Sequence, residues 1–204
     1  MIVTRIDPVT KTKFRVYIDG QFAFVLYKSE LSRYHIKENE EVTEDVFRLL
    51  KEEVVLKRAK LWAMHLLNDM DRTEEQLITK LKHNDYTDDI IEKTMEYVKS
   101  FGYVNDDSYA RRFIESKKES KSKKEIYFML CKKGISKESV ERAMEECYED
   151  NDPGAAIEAI MTKKHFSPDT ASDEEKQKMY AYLMRKGFRY EDVRQVIQVS
   201  GWNA

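Results

Sequence analysis

The sequence contains little glycine, proline or cysteine. Its 204 residues include six glycines, three prolines and two cysteines, while 36% of the residues are charged. So few turn-forming residues favour long, surface-rich helices over a compact enzyme with many tight turns. Cys131 and Cys147 lie far apart and lack the spacing of a metal site, which is typical of reduced thiols in a cytosolic protein.

Long apolar runs are also absent. No stretch has the length needed to span a bilayer, and the N-terminal "MIVTRIDPVTK" lacks the apolar core of a signal peptide. We therefore expect a cytoplasmic protein that does not associate with a membrane. The net charge of −2 limits any binding to nucleic acid to local basic patches.

The common catalytic motifs are missing. The sequence has no GxGxxG, GxxxxGK[ST], GxSxG or HExxH pattern. His65 and Asp69 are four residues apart, a spacing that fits a surface pair better than a metal site. The paired acids lie in polar runs, which are typical of solvated faces and linkers. We expect no enzymatic activity, no cofactor and no bound metal.

The first part of the chain has the pattern of a small β-sheet. Residues 12–27 are predicted to form a hairpin around Asp19–Gly20, and residues 2–6 are a candidate third strand. The apolar residues on both sides of the turn have even numbers, and a two-residue loop would put the two sets on opposite faces. A three-residue loop, residues 18–20 with Gly20 left-handed, keeps them on one face, so we expect that loop.

The rest of the chain repeats itself, in segments that begin at Thr73, Ser122 and Glu175. Each segment is predicted to form a helix, a turn and a second helix, because its apolar residues recur four residues apart. A further amphipathic helix precedes each pair. The equivalent apolar positions are Leu77, Ile126 and Met179; Leu81, Leu130 and Leu183; Tyr86, Ile135 and Phe188; Ile91, Val140 and Val193; and Met95, Met144 and Ile197.

Caps and turns support the same repeat. Asp85, Gly134 and Gly187 occupy the turn, where a glycine commonly ends a helix. The predicted N-caps are Thr73, Thr87, Ser122, Ser136 and Ser172. The predicted helices are residues 59–69, 73–84, 88–100, 107–119, 123–133, 137–148, 153–164, 173–186 and 190–199.

The predicted fold is mainly α, with three tandem copies of a three-helix repeat in an elongated curved array. A small N-terminal β-hairpin or three-stranded segment precedes the repeats, and a helix capped by Thr43 links the two parts. The expected segments are residues 1–43 for the β part, 44–103 for the linking helix and repeat 1, 104–150 for repeat 2 and 151–204 for repeat 3.

Asp106 or Asp107, which form an acidic pair, is predicted to cap the first helix of repeat 2. Acids at this position interact favourably with the positive end of the helix dipole. Because Gly102 ends the preceding helix, N-capping explains the pair better than catalysis does.

Basic clusters recur along the repeats. Residues 117–124 contain five lysines and one glutamate. Lysines near helix C-termini complement the dipole and keep helical proteins soluble, which explains Lys132–Lys133 and Lys186 well but explains the density at 117–124 poorly. The candidates for a surface that meets an anionic partner are Lys57, Arg58, Lys60, Arg111, Arg112, Lys117, Lys118, Lys121, Lys123, Lys124, Lys163, Lys164, Arg185, Lys186 and Arg189.

The segment "SFGYVNDDSYARRFIESK" and the turn that follows resemble the RecX family of recombination regulators. The resemblance covers residues 59–200, although repeat 1 has "KHND" in place of the lysine–glycine turn. Three motifs carry it, namely GY[LIV]xD, a short [FY]A-x-x-[FY] helix and L-x-x-KG[IV]. The matching residues are Gly102, Tyr103, Val104, Asp106, Tyr109, Ala110, Phe113, Leu130, Lys133, Gly134 and Ile135.

The resemblance implies a protein that binds the RecA–DNA filament and restrains its ATP hydrolysis and strand exchange. The expected partners are the RecA recombinase filament and single-stranded DNA, met directly or through RecA, and we expect a monomer. The family supplies no motif for individual contact residues, so the candidates rest on charge and position. The alternative is a helical DNA-binding module that acts without RecA, since helix–turn–helix pairs with basic turns also bind duplexes.

Overall fold

The computed structural model describes residues 1–148 and 153–198, which belong to two compact units. The first unit, Met1–Asn105, contains a three-stranded sheet and the first helical repeat. The second unit begins at Asp106 and contains the other two repeats. Within the described ranges every strand lies before residue 45, as the repeat hypothesis requires.

The sheet is antiparallel, and its strands lie in chain order. They are β1 (Val3–Pro8), β2 (Lys13–Ile18) and β3 (Gln21–Tyr27). The third strand that the sequence predicts is therefore confirmed. One face of the sheet is buried, because Val16 and Leu26 are completely inaccessible to solvent.

The loop between β2 and β3 differs from the prediction. It has two residues, Asp19 and Gly20, with φ angles of 48° and 81°. Positive φ at both positions is what a type I′ hairpin turn requires. The extra residue that keeps Val16 and Phe24 on one buried face is Ala23, which has no partner on β2. The predicted three-residue loop is wrong. The bulge in β3 adds the one residue that the longer loop was expected to add, so the even-numbered residues of both strands still lie on one face.

A short helix and one long helix connect the sheet to the repeats. The short helix, α1 (Lys28–Arg33), was not predicted. The long helix begins after Thr43, whose hydroxyl accepts the N–H of Val46 as predicted. It consists of α2 (Glu44–Leu49), a π-helical segment (Leu50–Leu56) and α3 (Lys57–Asp69). The helical backbone is continuous at both junctions.

The repeat helices begin and end within two residues of their predicted bounds. The prediction for the last helix also included residue 199, which lies outside the described residues. Repeat 1 contains α3, α4 (Glu74–His83) and α5 (Asp88–Ser100); repeat 2 contains α6 (Asp106–Lys117), α7 (Lys123–Lys132) and α8 (Lys137–Cys147); and repeat 3 contains α9 (Gly154–Lys163), α10 (Asp173–Lys186) and α11 (Tyr190–Gln198).

The predicted N-caps lie at the starts of their helices. The capping boxes of α4 and α10 are confirmed, Ser136 caps α8, and Thr87 occupies the N-cap position of α5. In α7 the Ser122 hydroxyl accepts the N–H of Glu125, but the Glu125 carboxylate pairs with Lys121 instead of completing the box.

The acidic pair of repeat 2 lies one position further into its helix than predicted. Helix α6 begins at Asp106, so Asn105 occupies the N-cap position. Asp106 and Asp107 both lie in the first turn, where the helix dipole stabilises negative charge. Asp107 also accepts a hydrogen bond from Arg142 of α8 at 3.4 Å, which links two helices of the repeat.

The turn between the second and third helices is left-handed in every repeat. Asp85, Gly134 and Gly187 have φ angles of 57°, 88° and 93°. Aspartate tolerates this conformation better than most side chains, which explains how repeat 1 keeps the turn without glycine. Asp85 also accepts two hydrogen bonds of 2.9 Å from Arg15 of β2. The aspartate that repeat 1 has in place of the turn glycine therefore connects this repeat to the sheet.

Each repeat is built around an equivalent set of buried residues. Leu81, Leu130 and Leu183 are completely buried, as the repeat register predicts. The core of repeat 1 is continuous with the residues beneath the sheet, whereas repeats 2 and 3 have separate cores. The sheet and repeat 1 thus share one hydrophobic core.

We expect Leu130→Ala to lower the free energy of unfolding by ~2–5 kcal/mol, because it leaves a cavity in a closed core. Chemical denaturation measures this change. Leu61→Ala is the matched control, since Leu61 is 65% exposed and its truncation should leave the midpoint nearly unchanged. An unchanged midpoint for Leu130→Ala would contradict the repeat register.

Candidate functional site

Arg58 has an internal role that its sequence position does not reveal. Its guanidinium binds the Glu30 carboxylate at 2.8 and 2.9 Å and donates to the carbonyl of Val25. It also lies over the ring of Tyr27, at 4.9 Å. With a side chain only 21% exposed, Arg58 connects α3 to the sheet and offers little to an external anion.

Three further candidate cations are paired with carboxylates of their own unit. The neighbouring carboxylates raise the pKa of Arg111 and of Lys118. The Arg111 pair is exposed and adds little stability, whereas Lys118 and Lys121 are half-buried; all three pairs cancel charge locally. The pairs are Arg111 with Glu146 at 2.6 Å, Lys118 with Glu115 at 2.8 Å, and Lys121 with Glu125 at 2.6 Å.

Other candidate lysines lie over aromatic rings, an arrangement that orients a cation without neutralising it. The distances from Nζ to ring centroid are 4.7 Å for Lys60 and Tyr97, 5.1 Å for Lys123 and Tyr148, and 4.2 Å for Lys164 and Tyr182. Burial raises the pKa of Tyr148 to about 12, so this ring carries no charge at neutral pH.

Five of the candidates come together where repeat 3 contacts repeat 2. The Ser122 hydroxyl, at the start of α7, donates to the carbonyl of Lys186 at the end of α10, with 2.5 Å between the oxygens. Ser122 is only 2% exposed. We call the cations around this contact the joint surface: Lys123, Lys124, Arg185, Lys186 and Arg189.

The contact depends on the glycine at position 187. Its φ of 93° is left-handed, and a Cβ there would lie 2.9 Å from the Cβ of Lys124 and 3.2 Å from the Ser122 hydroxyl. The absence of a side chain therefore lets the turn of repeat 3 lie directly against the first turn of α7. This close approach brings cations from two helices, α7 and α10, to one place.

The joint surface carries charge that its own unit leaves uncompensated. Lys124, Arg185 and Arg189 are exposed, and no carboxylate among the described residues forms an ion pair with them. Lys186 is half-buried, with Nζ 3.6 Å from Glu125. Lys164 lies close by, because it and Lys186 lie over the same ring of Tyr182.

The remaining candidates do not belong to this group. Lys57 and Lys60 lie in the first unit, on α3. Arg112 and Lys163 occupy exposed positions on α6 and α9, and Lys117 is half-buried at the end of α6. The joint surface thus gathers only part of the candidate cations, and the others lie elsewhere on the chain.

Two of the cavities that adjoin the Gly187 turn are also lined by Lys124. The larger, about 600 Å³, is lined by Lys123, Lys124 and Arg189, together with Glu141 and Glu145 of α8. The smaller, about 350 Å³, contains more positive charge. It is lined by Lys124, Glu125, Phe128, Met129, Lys132, Arg185, Lys186 and Gly187.

The smaller cavity has one cation and one aromatic residue that are not among the candidates from sequence, Lys132 and Phe128. Lys132 was explained by the helix dipole, and the repeat pattern does not single out Phe128. The available signal was spacing, because Lys124, Phe128 and Lys132 are four residues apart and lie on one face of α7. This cavity therefore places an exposed aromatic ring beside four cations.

Neither a metal site nor a membrane span is found in the described ranges. Among residues 1–148 and 153–198, no three histidine, cysteine or acidic side chains gather to hold a metal ion. His65 and Asp69 form an exposed pair at 4.0 Å, as the surface interpretation predicts. In the same ranges, no helix is long and apolar enough to cross a bilayer.

These features define a tandem three-helix repeat protein with a basic surface between two repeats. Two family descriptions match the chain: "RecX, first three-helix domain" over residues 59–97 and "RecX, third three-helix domain" over residues 152–197. The matched ranges correspond to the helices of repeats 1 and 3.

Curated relatives match almost the whole chain. "Regulatory protein RecX" of Caldanaerobacter subterraneus subsp. tengcongensis is 32% identical over 202 residues, which are 98% of this chain and 100% of the relative. The protein of the same name from Clostridium beijerinckii is 28% identical and covers 96% of this chain and 94% of its own. The chain belongs to the RecX family of regulatory proteins.

Two solved structures have a similar fold. "Crystal structure of regulatory protein RecX" has a TM-score of 0.61 and 20% sequence identity, and the match covers 97% of this chain and 98% of that one. RecX from Lactobacillus salivarius has a TM-score of 0.58 and 23% identity, with 71% and 96% covered.

We expect Gly187→Ala to destabilise the protein more than Gly102→Ala does. Both substitutions place a side chain at positive φ, which costs about 1–2 kcal/mol. Only at position 187 does the added Cβ also meet neighbouring atoms, whereas at Gly102 nothing lies within 4 Å. Chemical denaturation compares the two variants. Equal losses of stability would contradict the close packing of the Gly187 turn on α7.

Proposed function

We propose that this protein binds the RecA–DNA filament and regulates RecA, inhibiting ATP hydrolysis and strand exchange in homologous recombination and DNA repair. The observation that carries the proposal is membership of the RecX family, at 32% identity over 98% of the chain. The proposed mechanism is binding, and the protein acts on RecA without a reaction of its own.

The joint surface is the part of the described chain best suited to a polyanion. A cation that already has an intramolecular partner must lose that partner before it meets a phosphate. Lys118 and Lys121 are in this position, whereas Lys124, Arg185 and Arg189 are exposed and unpaired within the described residues. We therefore expect binding to centre on the Gly187 turn rather than on the whole run of lysines at 117–124.

A second function is a DNA-binding module that acts without RecA. The joint surface itself favours it, because cations at two helix ends suit a phosphate backbone whether or not RecA covers the DNA. The two functions are distinguished by protein concentration. A RecA regulator changes RecA activity at concentrations too low for the protein to bind DNA that carries no RecA, whereas a DNA-binding module does not.

The test is inhibition of RecA ATP hydrolysis on single-stranded DNA. We expect the wild type to inhibit, and the triple variant Lys124→Gln, Arg185→Gln, Arg189→Gln to need a higher concentration for the same effect. Binding of the variant to the filament should also depend less on salt, because each lost contact with a single-strand phosphate flattens the log–log slope by roughly 0.7.

The matched control is the triple variant Lys11→Gln, Lys28→Gln, Lys137→Gln, which removes the same charge from exposed lysines elsewhere. It should inhibit like the wild type. If the first triple variant also inhibits normally, the joint surface is not the contact. If the wild type binds bare DNA and leaves RecA unchanged, the DNA-binding module is the correct function.

A further inference from the structure

Phe128 is an exposed aromatic ring at a position where the repeat does not require one. It lies on α7 between the buried residues Ile126 and Leu130, yet it is 59% exposed. The equivalent residues of the other repeats, Thr79 and Ala181, are small and also exposed. The ring therefore faces solvent by virtue of the repeat register, and it contributes little to the core of repeat 2.

Cations lie on both sides of this ring. Lys124 and Lys132 precede and follow Phe128 by four residues, so the three side chains are about 6 Å apart along one face of α7. Arg185 and Lys186 of α10 line the same cavity of about 350 Å³. The ring is thus set in a groove with positive charge on two walls.

The positive charge of the groove is not cancelled by its own acids. Among the residues that line it, Glu125 is the one carboxylate against four cations. The Glu125 side chain is already engaged by Lys121 at 2.6 Å. No carboxylate of the described residues pairs with Lys124, Lys132 or Arg185. The groove therefore complements a chain of negative charges.

The Phe128 ring has room for a stacked partner. Its aromatic neighbour is Tyr127, at 5.9 Å between centroids and an interplanar angle of 84°. This edge contact leaves the ring without a stacked neighbour among the described residues. An aromatic ring beside cations is the combination by which proteins bind single strands, since every unpaired base has a face to stack.

We propose that Phe128 stacks on an unpaired base of single-stranded DNA, while Lys124, Lys132 and Arg185 contact the adjoining phosphates. This assignment rests on the proposed function, because it names the nucleotide contact made by part of the joint surface. Duplex DNA does not fit equally well, since its bases already stack on one another and only its phosphates would meet the groove.

The test is binding to a labelled oligo-dT strand without RecA, measured by fluorescence anisotropy at several salt concentrations. We expect Phe128→Ala to weaken binding about five- to hundredfold, the effect of losing one stacked base. Its salt slope should equal that of the wild type, because no phosphate contact is lost. Lys132→Gln should instead flatten the slope by roughly 0.7.

An oligonucleotide with the same backbone but abasic sites separates stacking from charge. Wild type and Phe128→Ala should bind it equally. Phe128→Leu keeps apolar bulk but removes the ring, so it should behave like Phe128→Ala on oligo-dT. Phe101→Ala is the matched control, because Phe101 is also 59% exposed but already packs against Tyr97 and Tyr103.

Three results would overturn the assignment. They are normal binding of oligo-dT by Phe128→Ala, equal losses on oligo-dT and on the abasic strand, and full binding by Phe128→Leu, which would mark an apolar docking patch. The RecA assay tests the broader function separately. If the wild type inhibits RecA but Phe128→Ala binds oligo-dT normally, only the stacking proposal is wrong. If Phe128→Ala binds oligo-dT more weakly as expected but the wild type does not change RecA activity, only the regulatory function is wrong.

Discussion

The backbone turns left-handed at Asp85, Gly134 and Gly187, and the packing of the repeats depends on this shared constraint. At position 85 the turn has a carboxylate, which holds Arg15 and so attaches repeat 1 to the sheet. At position 187 it has no side chain, which lets repeat 3 lie against the first turn of α7. One local conformation thus makes a different connection in repeats 1 and 3.

The same constraint determines where positive charge accumulates. A helix that ends at a left-handed turn often has basic residues in its last turn, because they complement the helix dipole. At the end of α10 these residues are Arg185 and Lys186, and the Gly187 turn brings them beside Lys124 at the start of α7. A stabilising feature of one helix thereby becomes part of the surface that we propose as the contact with DNA.

The repeat register was predictable because apolar residues recur four residues apart within each helix, and the same pattern is found in all three copies. Leu81, Leu130 and Leu183 take equivalent buried positions for this reason. The hairpin loop was not predictable from parity, because a bulge at Ala23 and a longer loop satisfy the same pattern. The short helix α1 and the π-helical segment have no comparable signal in the sequence.

The candidate site was predictable only as a set of cations. Pairs such as Arg58 with Glu30 and Arg111 with Glu146 join residues that are far apart in the sequence, so charge counting does not detect them. The sequence also places undue weight on the lysine run at 117–124, because Lys118 and Lys121 pair with Glu115 and Glu125, which flank the run and are left out of its charge count. The contact between Ser122 and Lys186, which gathers the joint surface, is likewise visible only in three dimensions.

Amide hydrogen exchange shows whether the Gly187 turn lies at the contact with RecA, when the protein alone is compared with the protein bound to a filament of RecA, single-stranded DNA and a non-hydrolysable ATP analogue. We expect slower exchange in residues 122–132 and 183–189 on binding, and unchanged exchange in the sheet at residues 3–27. Protection confined to the sheet, with none around Gly187, would contradict this expectation.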